Sequence, residues 1–135
     1  MKKYIVTLMI VVTSAIAAKA QDITSVNMRW NSNRYFDKNA GVWHEEATYL
    51  VTQGTTKIQW FNANGSLRKS IHVAEVFGEW TDINTPGLLQ YEGTEIQGSC
   101  SITIQKNAQE TKALLIFHAG GPQVYELLIT GTQVQ

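Results

Sequence analysis

The sequence predicts an all-β fold, an antiparallel meander of about eight strands that forms either a barrel or a two-layer β-sandwich. From Asp22 onward, apolar and polar residues alternate with a period of two, and no stretch follows the period of a helix. Gly, Asn and Pro interrupt the alternation at short intervals, so crossover helices do not fit and antiparallel pairing is favoured. A barrel or a sandwich follows because a single flat sheet leaves one face and two edges unprotected.

Alternating apolar residues predict two strands before the first clear turn. The first covers residues 26–30, where three apolar side chains alternate with polar ones. Residues 31–41 are polar and irregular, so they predict a long loop. The second strand covers residues 43–51 and ends at a Gly-containing turn over residues 53–56.

The clearest local signal is the Asn64-Gly65 pair, which alternating residues flank on both sides. Asn-Gly is a preferred centre of two-residue hairpin turns, because both positions need a positive φ. Counting outward from this turn places Trp60 opposite Lys69. That register predicts a cation–π contact on a solvent-exposed face, and a slip of one residue would reverse every side chain.

The remaining strands follow the same pattern between short turns. They cover residues 71–80 (with a bulge at Gly78), 89–93, 99–105, 112–118 and 124–129. The turns at residues 85–87 and 120–122 contain Pro and Gly, which favour tight reversals of the chain. Because residues 112–118 are nearly all apolar, we expect that strand at the centre of the sheet.

Residues 1–20 have the organisation of a secretory signal peptide. Met1-Lys2-Lys3 gives a positive start, an uncharged apolar run follows, and Ala18-Lys19-Ala20 has the small-x-small pattern of a cleavage site. We therefore expect residues 21–135 to form a single all-β domain. The processed protein is expected to be soluble in the periplasm or outside the cell, with no membrane span.

The composition disfavours several classes of partner. Three of the eleven Lys and Arg residues lie in the leader, which leaves eight against eleven Asp and Glu residues and a net charge of −3. No basic cluster exists, so we expect neither a nucleic acid nor an anionic membrane surface as a partner. Cys100 is the single cysteine, and its strand context predicts a small buried side chain.

No motif has the spacing of a catalytic or metal site. His44-Glu45-Glu46 lacks the second His of the helical zinc motif and alternates like a strand, so we interpret it as a solvated strand face. A G-x-S-x-G nucleophile elbow is absent from the sequence. We expect neither a metal nor a cofactor, and the sequence favours binding over catalysis without assigning an enzyme.

The aromatic residues allow two interpretations. An eight-stranded barrel can enclose one small ligand in an apolar pocket that has a few placed polar groups. The candidate ligand-binding residues are Met28, Trp43, Tyr49 and Trp60, with His118 as a polar anchor. The alternative interpretation is that these residues fill the core.

The segment Gly41-Val42-Trp43 places a G-x-W motif at the opening of an early strand. Together with the meander and the secretion signal, the motif resembles that of lipocalin-type (calycin) β-barrel proteins. The resemblance implies a lipocalin-like barrel, in which Trp43 would close one end.

Two functions follow from these predictions. The first is a secreted, non-catalytic binding protein that carries or senses a small apolar ligand in its barrel. The alternative is an envelope interaction module that binds a protein or a glycan through its loops or an exposed aromatic sheet face. For that module, Tyr35, Phe36 and Trp80 are the candidate surface aromatics.

Overall fold

The computed structural model describes residues 22–135, in which nine antiparallel strands follow a short 3₁₀ helix, Ile23–Ser25. The strands are β1 (Asn27–Asp37), β2 (Val42–His44), β3 (Thr48–Gln53), β4 (Lys57–Asn62), β5 (Leu67–Phe77), β6 (Gly87–Glu95), β7 (Gly98–Lys106), β8 (Thr111–Phe117) and β9 (Gln123–Val134). The predicted signal peptide, residues 1–20, lies outside the described residues.

Pairing between the first and last strands closes the sheet into a barrel. β1 pairs with β3 along one edge and with β9 along the other, and β3 to β9 pair in sequence order. The barrel therefore has eight strands, and β2 is an additional strand that pairs with the end of β1. Closure satisfies the backbone hydrogen bonds that an open sheet would leave at its edges. The predicted all-β antiparallel meander is confirmed, and its form is a barrel, not a sandwich.

Inward-pointing side chains fill the middle of the barrel. The alternation is regular in β3 and β8, where every second residue is buried. The fully buried residues form one cluster to which all eight strands contribute; the largest of them are Trp30, Trp60, Tyr91, Phe117, Leu50, Ile58, Ile71, Leu89, Ile102, Ile104, Leu115 and Leu127. This packing makes the interior of the barrel a solid core at mid-height.

One end of the barrel, which we call the closed end, is sealed by the 3₁₀ helix and the connection between β5 and β6. The Ile23 N–H donates to the Trp80 carbonyl at 2.9 Å, which ties the helix to the connection. The Trp80 ring lies 5.7 Å from the Trp30 ring and rests on Gly87, where a Cβ atom would approach the indole to 2.4 Å. Trp30 is fully buried, and its Nε1 donates to Thr52 Oγ1 at 3.1 Å.

The predicted loop over residues 31–41 is wrong, because β1 continues to Asp37. The segment is polar because Asn31 and Arg34 point outward, while the inward Ser32 donates a hydrogen bond to the Arg34 carbonyl at 2.7 Å. Register shifts between β1 and β9 flank Ser32, so the alternation of side chains is interrupted there. Pairing with neighbouring strands on both edges outweighs the weak β-propensity of these residues.

The predicted second strand, residues 43–51, is interrupted, and Trp43 does not close a barrel end. β2 and β3 are separated by three exposed residues, 45–47. Trp43 pairs with Phe36 on the outer face of β1 and keeps 42% of its surface exposed. The tryptophan that packs under the closed end is Trp30, because β1 and not β2 lies next to the 3₁₀ helix.

The β4–β5 hairpin has the predicted register from Trp60 outward but a different turn, because Leu67 lies opposite Phe61 and not Asn62. Trp60 lies opposite Lys69, as predicted. Gly65 has a φ of +89°, whereas Asn64 has a negative φ, so the predicted two-residue turn is wrong. Asn62 N–H donates to the Ser66 carbonyl at 2.9 Å, which defines a three-residue loop with Gly65 in the left-handed position.

The later strands agree closely with the prediction. The bounds of β7 and β8 differ from those of the predicted strands 99–105 and 112–118 by one residue at each end. β5 ends at Phe77, so the predicted strand 71–80 is too long, and the predicted bulge at Gly78 is instead the first residue of the connection. β9 continues to Val134 because β1 pairs with it from Tyr125 to Val134.

Candidate functional site

The opposite end of the barrel, which we call the open end, contains an aromatic cluster on its inner face. Tyr125 lies at the centre, with ring centroids 6.1 Å from Tyr35, 5.3 Å from Trp60 and 6.2 Å from Phe117. Tyr35 also stacks on His44 at 4.8 Å. Burial of Tyr35, Trp60 and Phe117 below 5% exposure makes this cluster the floor of the open end.

A β-bulge brings two consecutive cations over this floor. The β4–β5 register shifts between Trp60 and Phe61, so Arg68 is the extra residue between Leu67 and Lys69. Regular alternation would send Arg68 and Lys69 to opposite faces. Arg68 Cζ instead lies 4.2 Å from the centre of the Trp60 ring, and Lys69 Nζ lies 5.0 Å from the centre of the Phe117 ring.

Lys69 forms an ion pair with a buried carboxylate. Its Nζ lies 3.1 Å from Glu95 Oε2, and the side chains of Lys69 and Glu95 are 25% and 6% exposed. Glu95 ends β6 and continues its inward row of residues, so the carboxylate lies under the lysine at the barrel rim. The prediction of a lysine on a solvent-exposed face beside Trp60 is therefore wrong in both face and partner, since Arg68 occupies the face of the Trp60 ring.

Burial and the surrounding charges change the pKa of the Tyr125 phenol. Burial raises the pKa of its phenol, and the nearby Asp37 carboxylate raises the pKa further. Arg68 and Lys69 lower the same pKa, although they do not outweigh the burial. The phenol remains neutral at physiological pH and can donate or accept a hydrogen bond at the centre of the cluster.

A groove of about 260 Å³ lies at one side of the open end, between the start of β5 and the β6–β7 turn. Its lining includes Leu67, Arg68, Lys69, Glu95, Ile96 and Gln97. Leu67 is 52% exposed and Ile96 is fully exposed, so the groove combines exposed apolar side chains with charged ones. This volume lies near the lower end of the range for small-molecule sites, about 300 Å³.

Of the five candidate ligand-binding residues, Trp60 is the one that lies in the open-end cluster. Met28 is buried on the inner face near the start of β1. Trp43 lies on the outer face under Arg34 at 4.4 Å, and Tyr49 lies on the outer face under Arg29 at 3.8 Å. His118 is exposed beyond β8. The fold does not bring these five residues together.

Sequence reasoning missed most of the cluster for identifiable reasons. Tyr35 fell in the predicted loop, and Arg68 becomes inward-pointing only through the bulge. Glu95 pairs with a lysine that is distant in sequence. One sequence signal could have found part of the cluster, namely the register that pairs Trp60 with Lys69. Directly paired residues point to the same face of the sheet, so a buried Trp60 requires Lys69 to point inward as well.

The surroundings of Cys100 are those of a structural residue. Cys100 is buried, as predicted, and burial together with the nearby Glu95 and Glu92 raises the pKa of its thiol to about 11.

Within residues 22–135, no group of three His, Cys, Asp or Glu side chains is arranged to hold a metal ion. No helix in this range is both long enough and apolar enough to cross a bilayer.

Comparisons with known proteins give no family assignment. No protein-family model, no curated protein and no solved structure matches the chain.

Proposed function

We propose that this chain is an exported, non-catalytic binding protein that takes a small, largely apolar molecule at the open end of its barrel. The observation that carries the proposal is the groove beside the buried aromatic cluster, where exposed Leu67 and Ile96 border Arg68 and Lys69. Apolar walls with a few placed polar groups are typical of small-molecule sites. Export rests on the signal-peptide pattern of residues 1–20.

The packing of the barrel favours the rim over the deep interior as the place of binding. Leu50, Ile58, Leu89 and Leu115 have no exposed surface and fill the middle of the barrel. A ligand at mid-height would have to displace close-packed side chains, whereas the groove is already formed.

The test is a titration with N-phenyl-1-naphthylamine, a neutral apolar dye whose fluorescence rises on transfer from water. We expect saturable binding with one site per chain. Ile96→Ser removes apolar surface from the groove and weakens binding by about 1 kcal/mol, or roughly five-fold.

Leu88→Ser is the matched control, because Leu88 is also exposed but lies outside the groove. Dye binding that does not saturate, or equal weakening by the two substitutions, would contradict the proposed site.

A second candidate, the envelope interaction module, is favoured by the outer wall. Arg34 lies over Trp43, which packs on Phe36 at 5.1 Å, and the Trp43 side chain remains 42% exposed. Of the aromatics predicted for this role, Tyr35 and Trp80 are buried and Phe36 is half-buried, so Trp43 takes their place. Co-sedimentation of the protein with purified peptidoglycan, if Trp43→Ala abolishes it, would support a glycan partner. The absence of co-sedimentation would contradict a glycan partner.

A further inference from the structure

The two cations over the aromatic floor differ in their partners. Lys69 has the Glu95 carboxylate at 3.1 Å. Arg68 donates to two neutral oxygens, Asn62 Oδ1 at 3.0 Å and Tyr35 Oη at 3.1 Å. Within residues 22–135, no ion pair includes Arg68. The half-buried guanidinium of Arg68 therefore has no carboxylate at ion-pair distance within these residues.

Arg68 also keeps part of its hydrogen-bonding capacity. A guanidinium has five N–H groups in a planar fork, and the contacts to Asn62 and Tyr35 use two of them. The rings of Trp60 and Tyr35 hold the plane in position, with centroids 4.2 Å and 5.1 Å from Cζ. A fork that is held in place and partly unused is suited to a planar anion.

Two buried polar atoms on β3 and β4 lack partners. In the described part of the chain, Trp60 Nε1 and Thr48 Oγ1 make no hydrogen bond, and both residues are at most 3% exposed. Thr48 lies opposite Asn62 on the neighbouring strand, and Asn62 binds Arg68. Buried donors without partners are costly, and one of these two belongs to Trp60, whose ring lies under Arg68.

We infer that the ligand is a small organic anion whose carboxylate binds Arg68 and whose flat apolar body lies along Leu67 and Ile96. This inference rests on the proposed function and adds the chemical class of the ligand. Charge complementarity comes from Arg68, because Glu95 already neutralises Lys69. The volume of the groove, about 260 Å³, limits the body to one or two fused rings or a short chain.

The test compares 1-naphthoate with 1-naphthamide by isothermal titration calorimetry. The two probes share their ring system and differ in charge. Because hydrogen bonds to a charged group are about twice as strong as neutral ones, we expect naphthoate to bind at least ~10-fold more tightly. Arg68→Gln removes this preference, so the two affinities agree within about two-fold.

Arg34→Gln is the matched control, because Arg34 also stacks on a tryptophan but lies on the outer wall. It leaves the preference for naphthoate intact. The comparison of the two probes on the unmodified protein needs no substitution, so it decides the question even if Arg68→Gln does not fold.

The outcomes separate this inference from the proposed function. Equal affinities of the two probes, or binding of the neutral dye without any binding of naphthoate, overturn the anionic ligand and leave the apolar site. No binding of the dye and of both naphthyl probes overturns the proposed function together with the inference. A preference for naphthoate that persists in Arg68→Gln places the anion elsewhere and also overturns the inference.

Discussion

The Lys69–Glu95 ion pair gives the sharpest test of how the open end is built. Glu95 is 6% exposed and Lys69 is 25% exposed, so removing one partner has unequal consequences. Lys69→Met leaves a buried carboxylate without its cation. Unpaired buried charges cost about 3–5 kcal/mol, and the partial exposure of this pair lowers our expectation to about 2–3 kcal/mol. Glu95→Gln leaves a lysine that can extend to water, so its expected cost is about 1 kcal/mol.

The double variant Lys69→Met/Glu95→Gln removes both charges and leaves no unpaired ion. We expect it to be destabilised by about 1 kcal/mol, which is roughly 2 kcal/mol less than the sum of the two single changes. Urea unfolding followed by tryptophan fluorescence and far-ultraviolet circular dichroism measures all three differences.

Glu45→Gln is the control, since its ion pair with Arg34 at 3.8 Å is exposed and the expected change is within about 0.5 kcal/mol. Additive costs, or a larger loss for Glu95→Gln than for Lys69→Met, would refute the assignment of Glu95 as the buried partner.

Three further predictions concern the barrel itself. Gly65→Ala forces alanine to a φ near +89° and lowers the free energy of unfolding by about 1 kcal/mol, whereas Gly131→Ala, with open space and no positive φ, leaves the urea midpoint unchanged or higher. Gly93→Ala places a Cβ atom 2.2 Å from the His72 carbonyl oxygen and lowers the free energy of unfolding by about 2–3 kcal/mol. An unchanged urea midpoint would show that β5 and β6 lie farther apart. The raised pKa of Cys100, about 11 against an ordinary 9.0, means that the unfolded chain releases the thiol proton first. Its contribution to stability is therefore complete below about pH 9 and is lost as the pH rises towards 11, so the urea midpoint should fall more steeply above pH 9 than it does for Cys100→Ala.

The strands that the sequence predicts well are those whose environment is simple. β7 and β8 alternate between a buried inner row and an outer row over their central residues, so the period of two is visible in the residues alone. The Trp60–Lys69 register is also visible, because the Asn64-Gly65 signal fixes the position of the hairpin even though the turn has three residues. Local patterning therefore determines these elements.

The prediction fails where pairing between distant strands overrides the local pattern. The polar segment that begins at Asn31 becomes strand because β9 pairs with it. The Thr130–Asn31 hydrogen bond there joins residues that are 99 positions apart in the sequence. Trp43 follows a glycine at the start of a strand, yet it faces outward because β2 pairs with the outer end of β1. Neither outcome is encoded within a short window of sequence.

The sequence by itself determined the all-β class, the burial of Cys100 and the residues that carry charge. Each of these depends on composition or on a two-residue period, both of which are local properties. The tertiary structure alone decided that the sheet closes through β1 and β9, and that one bulge turns Arg68 and Lys69 over the same aromatic floor. Closure and a one-residue register shift depend on contacts between strands far apart in the chain. The candidate site therefore exists only in the folded barrel.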